Sequence, residues 1–223
     1  MNRHQTIANW VAVLFIIGTA ASVAGDMMLA PLKNDPMAMQ MFAQNMPRVV
    51  SATLLFLTAC LAIAAIPIVW FPLLRRHSET GALLYFAARM VESILYLFGA
   101  VILLGLVHIG RTGSPDQTLF DVLIRLSGHS LVIGTMLVFG ISALILARLL
   151  YQTKLVPRWL SIWKAIGAAL LFVQGILILF EIATPIIEST LFLPIAVNEI
   201  VLAIWLLVVG FSPGAVSQLR QDQ

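Results

Sequence analysis

Residues 82–107 form an apolar run long enough to cross a bilayer as a helix, yet Arg89 and Glu92 stand inside it. On a helix, Tyr85, Arg89, Glu92, Tyr96 and Gly99 recur at three- and four-residue steps and share one face. Each ion at the bilayer centre costs about 2.5–3.5 kcal/mol on insertion scales. That face must therefore turn toward protein or a wet cavity. The chain then needs further apolar helices to enclose it.

The rest of the sequence supplies them. It is 61% hydrophobic and 10% charged, where soluble domains are roughly half apolar and a quarter charged. Six apolar segments are expected, at about 7–30, 49–71, 82–108, 119–150, 159–181 and 191–211. The fold class is all-α: a polytopic membrane bundle of six transmembrane helices, forming one domain over 1–223. The net charge of +3 is scattered at segment ends, which argues against a nucleic-acid partner. With the N-terminus cytoplasmic, Arg3, Arg75, Arg76, Arg148, Lys154, Arg158, Lys164 and Arg220 fall on the inner side. Lys33, Arg48 and Arg111 fall outside, so both termini are expected in the cytoplasm. The single cysteine, Cys60, excludes an internal disulfide.

The first segment has a basic start and small residues at Ser22-Val23-Ala24, as a signal peptide has. Its apolar stretch continues through Met28 and Leu29, so a retained span is expected. Gly18, Ser22 and Gly25 make a small-residue stripe suited to close helix contact, and Asp26 ends it near the interface. Met37, Met39 and Met41 offer soft sulfurs of the kind that bind Cu(I). A helix would split the three sulfurs, so an interfacial amphipathic segment with Met37, Met41 and Phe42 toward lipid is the better reading. Pro67 is expected to kink the second span and Pro72 to end it. Gly113, Ser114 and Pro115 read as a turn after the third span.

In the fourth span, Asp121, Arg125 and His129 step by four, so the first two can pair within the helix. Gly128, Thr135 and Ser142 step by seven as a packing seam, and Gly167, Gln174 and Glu181 do the same in the fifth. Trp10, Trp70, Trp159 and Trp163 sit near span ends and read as interface anchors.

Spans four to six resemble a bacterial family of six-helix membrane proteins, the domain of unknown function 4386. The carrying residues are Leu149-Leu150-Tyr151, Leu155-Val156-Pro157-Arg158-Trp159-Leu160, and Glu199 followed by Trp205-Leu206-Leu207-Val208-Val209-Gly210. Ser161 stands where the resemblance implies a glycine, and Lys164 is unusual at its position. The resemblance implies a fold and a bacterial inner-membrane location, with Arg89 and His129 at polar positions. It implies no activity.

Topology and position together predict one polar cluster reaching from mid-membrane to the outer face. Its members are Arg89, Glu92, Tyr96, Arg125, His129, Asn198, Glu199, Asp26 and Glu181. Glu199 is an expected cross-helix partner for Arg89, with an Arg89–Glu92 pair within the helix as the alternative. No Ser-His-Asp pattern, phosphate loop, metal-ligand cluster or cofactor signature is visible. The expected function is binding of a small amphipathic molecule or membrane lipid in that cavity, with transport as an extension. One alternative is an intramembrane enzyme, possibly metal-dependent, using His129, Glu199 and Asp26. Another is an assembly subunit with no ligand. No internal repeat relates the two halves, which counts against alternating access.

Overall fold

The structure is a computed structural model and describes residues 3–111 and 116–221. The expected turn at Gly113, Ser114 and Pro115 lies outside the described residues. In chain order the helices are α1 (Arg3–Lys33), a short α2 (Ala38–Gln44), α3 (Met46–Leu74), α4 (Glu79–Arg111) and α5 (Gln117–Val132). A π-helical turn (Ile133–Val138) leads into α6 (Phe139–Thr153), and α7 (Arg158–Leu179), α8 (Pro185–Val208) and α9 (Pro213–Gln221) follow. Among the described residues, six helical stretches are long and apolar enough to cross a membrane; α5, the π turn and α6 form one of them. The chain is a multi-pass membrane protein. Helices serve here because hydrocarbon offers no partner for a bare backbone N–H or C=O.

Several boundaries differ from expectation. The last span begins at Pro185 rather than near 191. Thr184 caps it, its hydroxyl accepting from the Ile187 N–H at 3.4 Å, and Pro185 occupies the first helical position. Likewise, α3 runs through Pro67 and past Pro72 to Leu74. The α2 segment does not turn Phe42 toward lipid. That ring is fully buried and meets Phe120 edge-on at 5.7 Å, while Met37 stays exposed. Trp70 is not an interface anchor either: it is buried, stacked on Phe211 at 6.0 Å.

The spans pack in chain order, α1 on α3, α3 on α4, α4 on α5 and α6, α6 on α7 and α7 on α8. Contact between α8 and α1 closes the ring. The closure is tight at the end carrying the termini. There Gly210 adopts a left-handed φ of +76°, and Gln5 of α1 fills the space a Cβ would need.

The core is divided by depth. In the half nearest the termini, Val11 and Phe15 of α1 share a cluster with Trp70, Tyr85, Leu146, Leu160, Leu202 and Leu206. In the distal half, Leu29, Phe42, Phe56, Leu103 and Phe120 draw together α1 to α5 alone. No residue of α7 or α8 belongs to that distal cluster. From Pro185 to Pro194, α8 has no buried residue. Consequently α1 and α8 are knitted together near the termini and leave a cleft farther out.

Candidate functional site

The cleft narrows into a cavity of about 130 Å³ to which all six spans contribute. Its charged lining is Arg89 and Glu92 from α4 and Glu199 from α8. Aromatic walls come from Phe15, Tyr96, Phe139 and Phe192, and hydroxyls from Thr19, Ser22 and Thr135. Val23 and Phe192, each about half exposed, stand at the rim.

Helix α4 carries the floor. Arg89 and Glu92 are both buried, and the guanidinium donates to both Glu92 oxygens, at 2.9 and 3.3 Å. Of the two pairings expected for Arg89, the structure forms the intrahelical one. The α4 face reads as the sequence spacing implied: Tyr85, Arg89, Glu92, Tyr96 and Gly99 are all buried. One turn beyond Glu92, the Tyr96 hydroxyl donates to Ser22 Oγ at 2.7 Å and ties α4 to α1.

The small-residue stripe of α1 packs on α3. A Cβ on Gly25 would lie 2.7 Å from the Phe56 ring, and one on Gly18 would lie 3.6 Å from Ala62. Beside the floor, Ser93 Oγ donates to the Cys60 carbonyl at 3.1 Å, linking α4 to α3.

Glu199 pairs with Lys164 of α7, at 3.7 Å. Lys164 is the residue that the sequence reasoning missed, having been counted among the inner-side cations. Its side chain is 1% exposed. It lies six residues into α7, about 9 Å along the axis at 1.5 Å per residue. A lysine so near a helix end would ordinarily snorkel to the interface. Here the ammonium turns inward instead, 5.6 Å from the Phe15 ring centre and 5.9 Å from that of Phe139. Arg89 lies over Phe139 as well, at 5.3 Å, so one ring serves two cations. The available signal was the face Lys164, Gly167, Leu171 and Gln174, all buried and spaced by threes and fours.

The four charges sum to zero, two carboxylates against Arg89 and Lys164. Not every polar atom is matched: Arg89 Nε and Lys164 Nζ among the charges, and Gln174 Oε1 and Asn198 Oδ1 on α7 and α8, are buried without a hydrogen-bond partner. Asn198 is fully buried, and its amide donates to the Leu160 carbonyl at 3.1 Å. It braces α8 against the first turn of α7 rather than facing the outer side.

Other expected members lie elsewhere. Arg125 is exposed and pairs at 3.6 Å with Glu181, also exposed, instead of with Asp121. Glu181 follows the end of α7 with a left-handed φ of 57° and so leaves the stripe begun by Gly167 and Gln174. Asp26 is exposed and sits 4.0 Å from Lys33. His129 is exposed and does not line the cavity. The enzyme alternative needs His129, Asp26 and Glu199 within reach of one another, and only Glu199 faces the cavity. Among the described residues, no group of three or more His, Cys, Asp or Glu side chains could hold a metal ion.

His129 shares the exposed α5 face of Asp121 and Arg125. The expected seam of Gly128, Thr135 and Ser142 assumed uninterrupted α-geometry, and a π turn falls within it. Contact with α4 is made instead by Ser127, Ser130 and Gly134. Ser127 donates to the Gly99 carbonyl at 3.0 Å and Ser130 to the Leu95 carbonyl at 2.7 Å. Thr135, at the turn, reaches the cavity wall.

Comparison with curated proteins gives no match, nor does comparison with solved structures. A family model does match, over residues 10–210, which reaches into all six spans and includes the whole charged floor. The chain belongs to the family described as Domain of unknown function (DUF4386).

Proposed function

We propose that this membrane protein binds a small amphipathic molecule or a lipid, with the polar head in the charged cavity and the apolar part along the α1–α8 cleft. The observation that carries this reading is the lateral mouth. Val23 and Phe192, about half exposed on two membrane-crossing helices, line the same cavity as Glu199, Arg89 and Glu92. An aqueous solute has no need of an apolar doorway, whereas a lipid-like molecule can slide its tail through one while its head finds hydrogen bonds. Ligand sites of this kind are concave, mostly apolar and carry a few placed polar groups. The unmatched donor Arg89 Nε, on a lining residue, gives such a head something to satisfy.

The test is photolabelling in nanodiscs with a phospholipid carrying a diazirine in its acyl chain. Adducts are expected on the peptides containing residues 15–23 and 192–199. Ala196→Trp, which fills the cavity from α8, should remove them while leaving labelling of outward-facing Ile94 and Val101 unchanged. Equal labelling of wild type and variant at the cleft would refute the reading.

A further inference from the structure

We infer that the amphiphile held in this cleft carries a cationic, amine-type head group; this rests on the binding role proposed above. The four charges differ in how they meet the cavity. Lys164 is sealed behind the wall and does not line it. Arg89 does line it, but its guanidinium is drawn onto Glu92 at 2.9 Å and lies over the Phe139 ring. Glu199 is the most accessible member, with a side chain 16% exposed against 4% for Arg89 and Glu92. At 3.7 Å its ion pair with Lys164 exceeds ordinary hydrogen-bond length, so the carboxylate keeps acceptor capacity toward the cavity. A newcomer therefore meets a carboxylate first.

The walls agree with the floor. Phe15, Tyr96, Phe139 and Phe192 present aromatic surface around the same space, and aromatic faces attract ammonium groups. With Glu92 neutralised by Arg89, a carboxylate or phosphate head would meet Glu199 first, a like charge at low dielectric. Thr19, Ser22 and Thr135 accept as well as donate, so they tolerate an ammonium. A volume of about 130 Å³ suits a head of a few heavy atoms, with the tail leaving between Val23 and Phe192.

The experiment compares octylamine, octanol and octanoate on the purified full chain in a neutral maltoside at pH 7, reading thermal stability against ligand concentration. Octylamine should half-saturate at concentrations at least about tenfold below octanol, as a charge-assisted hydrogen bond provides, with octanoate weakest. Glu199→Gln should bring octylamine to the level of octanol. Equal potency of amine and alcohol, or stronger binding of octanoate, overturns the cationic assignment and leaves the cleft an amphiphile site. No saturable stabilisation by octylamine overturns the cationic assignment, and the absence of cleft photolabelling as well overturns both. Should Glu199→Gln not fold, the three-ligand comparison on the wild type still decides.

Discussion

At the residue scale, Lys164 and Glu199 are held by each other's presence. The ammonium is 1% exposed and the carboxylate 16%, on neighbouring helices in an apolar bundle. Removing one partner strands the other, a loss of about 3–5 kcal/mol for a buried pair, whereas removing both with apolar residues of similar size is often nearly neutral. Lys164→Met and Glu199→Leu should therefore each lower stability by that order, and the double variant should recover at least half of the summed loss. Chemical or thermal unfolding in detergent of the four proteins checks this. Strict additivity would show that the two groups do not compensate each other. Glu92 has its own partner on its own helix, so Glu92→Gln should not be rescued by Lys164→Met; unfolding of that double variant reads it.

The cost of an ion in hydrocarbon made Arg89, Glu92 and Glu199 legible in the sequence as inward-facing groups. It did not reveal their partners. Lys164 lies close enough to Arg158 and the Pro157 turn to resemble a terminal cation, and only its spacing with Gly167 and Gln174 sets it apart.

At the scale of elements, small residues decide how closely helices approach. A Cβ on Gly167 would stand 2.9 Å from the backbone nitrogen of Ile195, which cannot move aside as a side-chain end can. Gly167→Ala should therefore push α7 from α8 and disturb the Asn198–Leu160 hydrogen bond, costing about 1–3 kcal/mol as an overpacked contact. Gly128 makes the control: a Cβ there meets nothing within 4 Å. Gly128→Ala should be neutral or raise stability by up to about 1 kcal/mol through helix propensity. Unfolding midpoints of the two variants in the same detergent test the contrast, and equal effects would contradict the assigned contacts.

The six spans themselves were legible, since apolar length is a direct reading of bilayer thickness. The π turn was not, because periodicity assumes a constant turn. Within α5 itself, Ser127 and Ser130 face α4, while His129 shares the exposed face of Asp121 and Arg125; periodicity groups the residues of a face but does not say which face packs. The early start of α8 had a visible cue in Thr184-Pro185, a cap followed by an N1 proline.

At the scale of the whole molecule, the depth of the cleft relative to the two leaflets follows from orientation. Gln5 and Gly210 meet, so the span termini share one face. That face carries exposed Arg75, Arg148, Lys154 and Arg158, while Lys33, Arg48 and Arg111 lie at the other. Lys164, being buried, no longer counts toward the bias, yet the excess remains, and on that ground we predict that the terminal face is cytoplasmic. The prediction is tested with single cysteines in a Cys60→Ser background, using a membrane-impermeant maleimide on intact cells. Asn34→Cys, at the distal end, should label from outside, and Gln152→Cys, at the terminal face, only after permeabilisation. The reverse pattern would invert the molecule. Since Val23 and Phe192 lie in the distal half, the expected orientation opens the cleft to the outer leaflet. Lipid-like molecules delivered to that leaflet should then reach Glu199 without crossing the bilayer. The diazirine phospholipid confined to the outer leaflet should label residues 192–199 as strongly as one present in both.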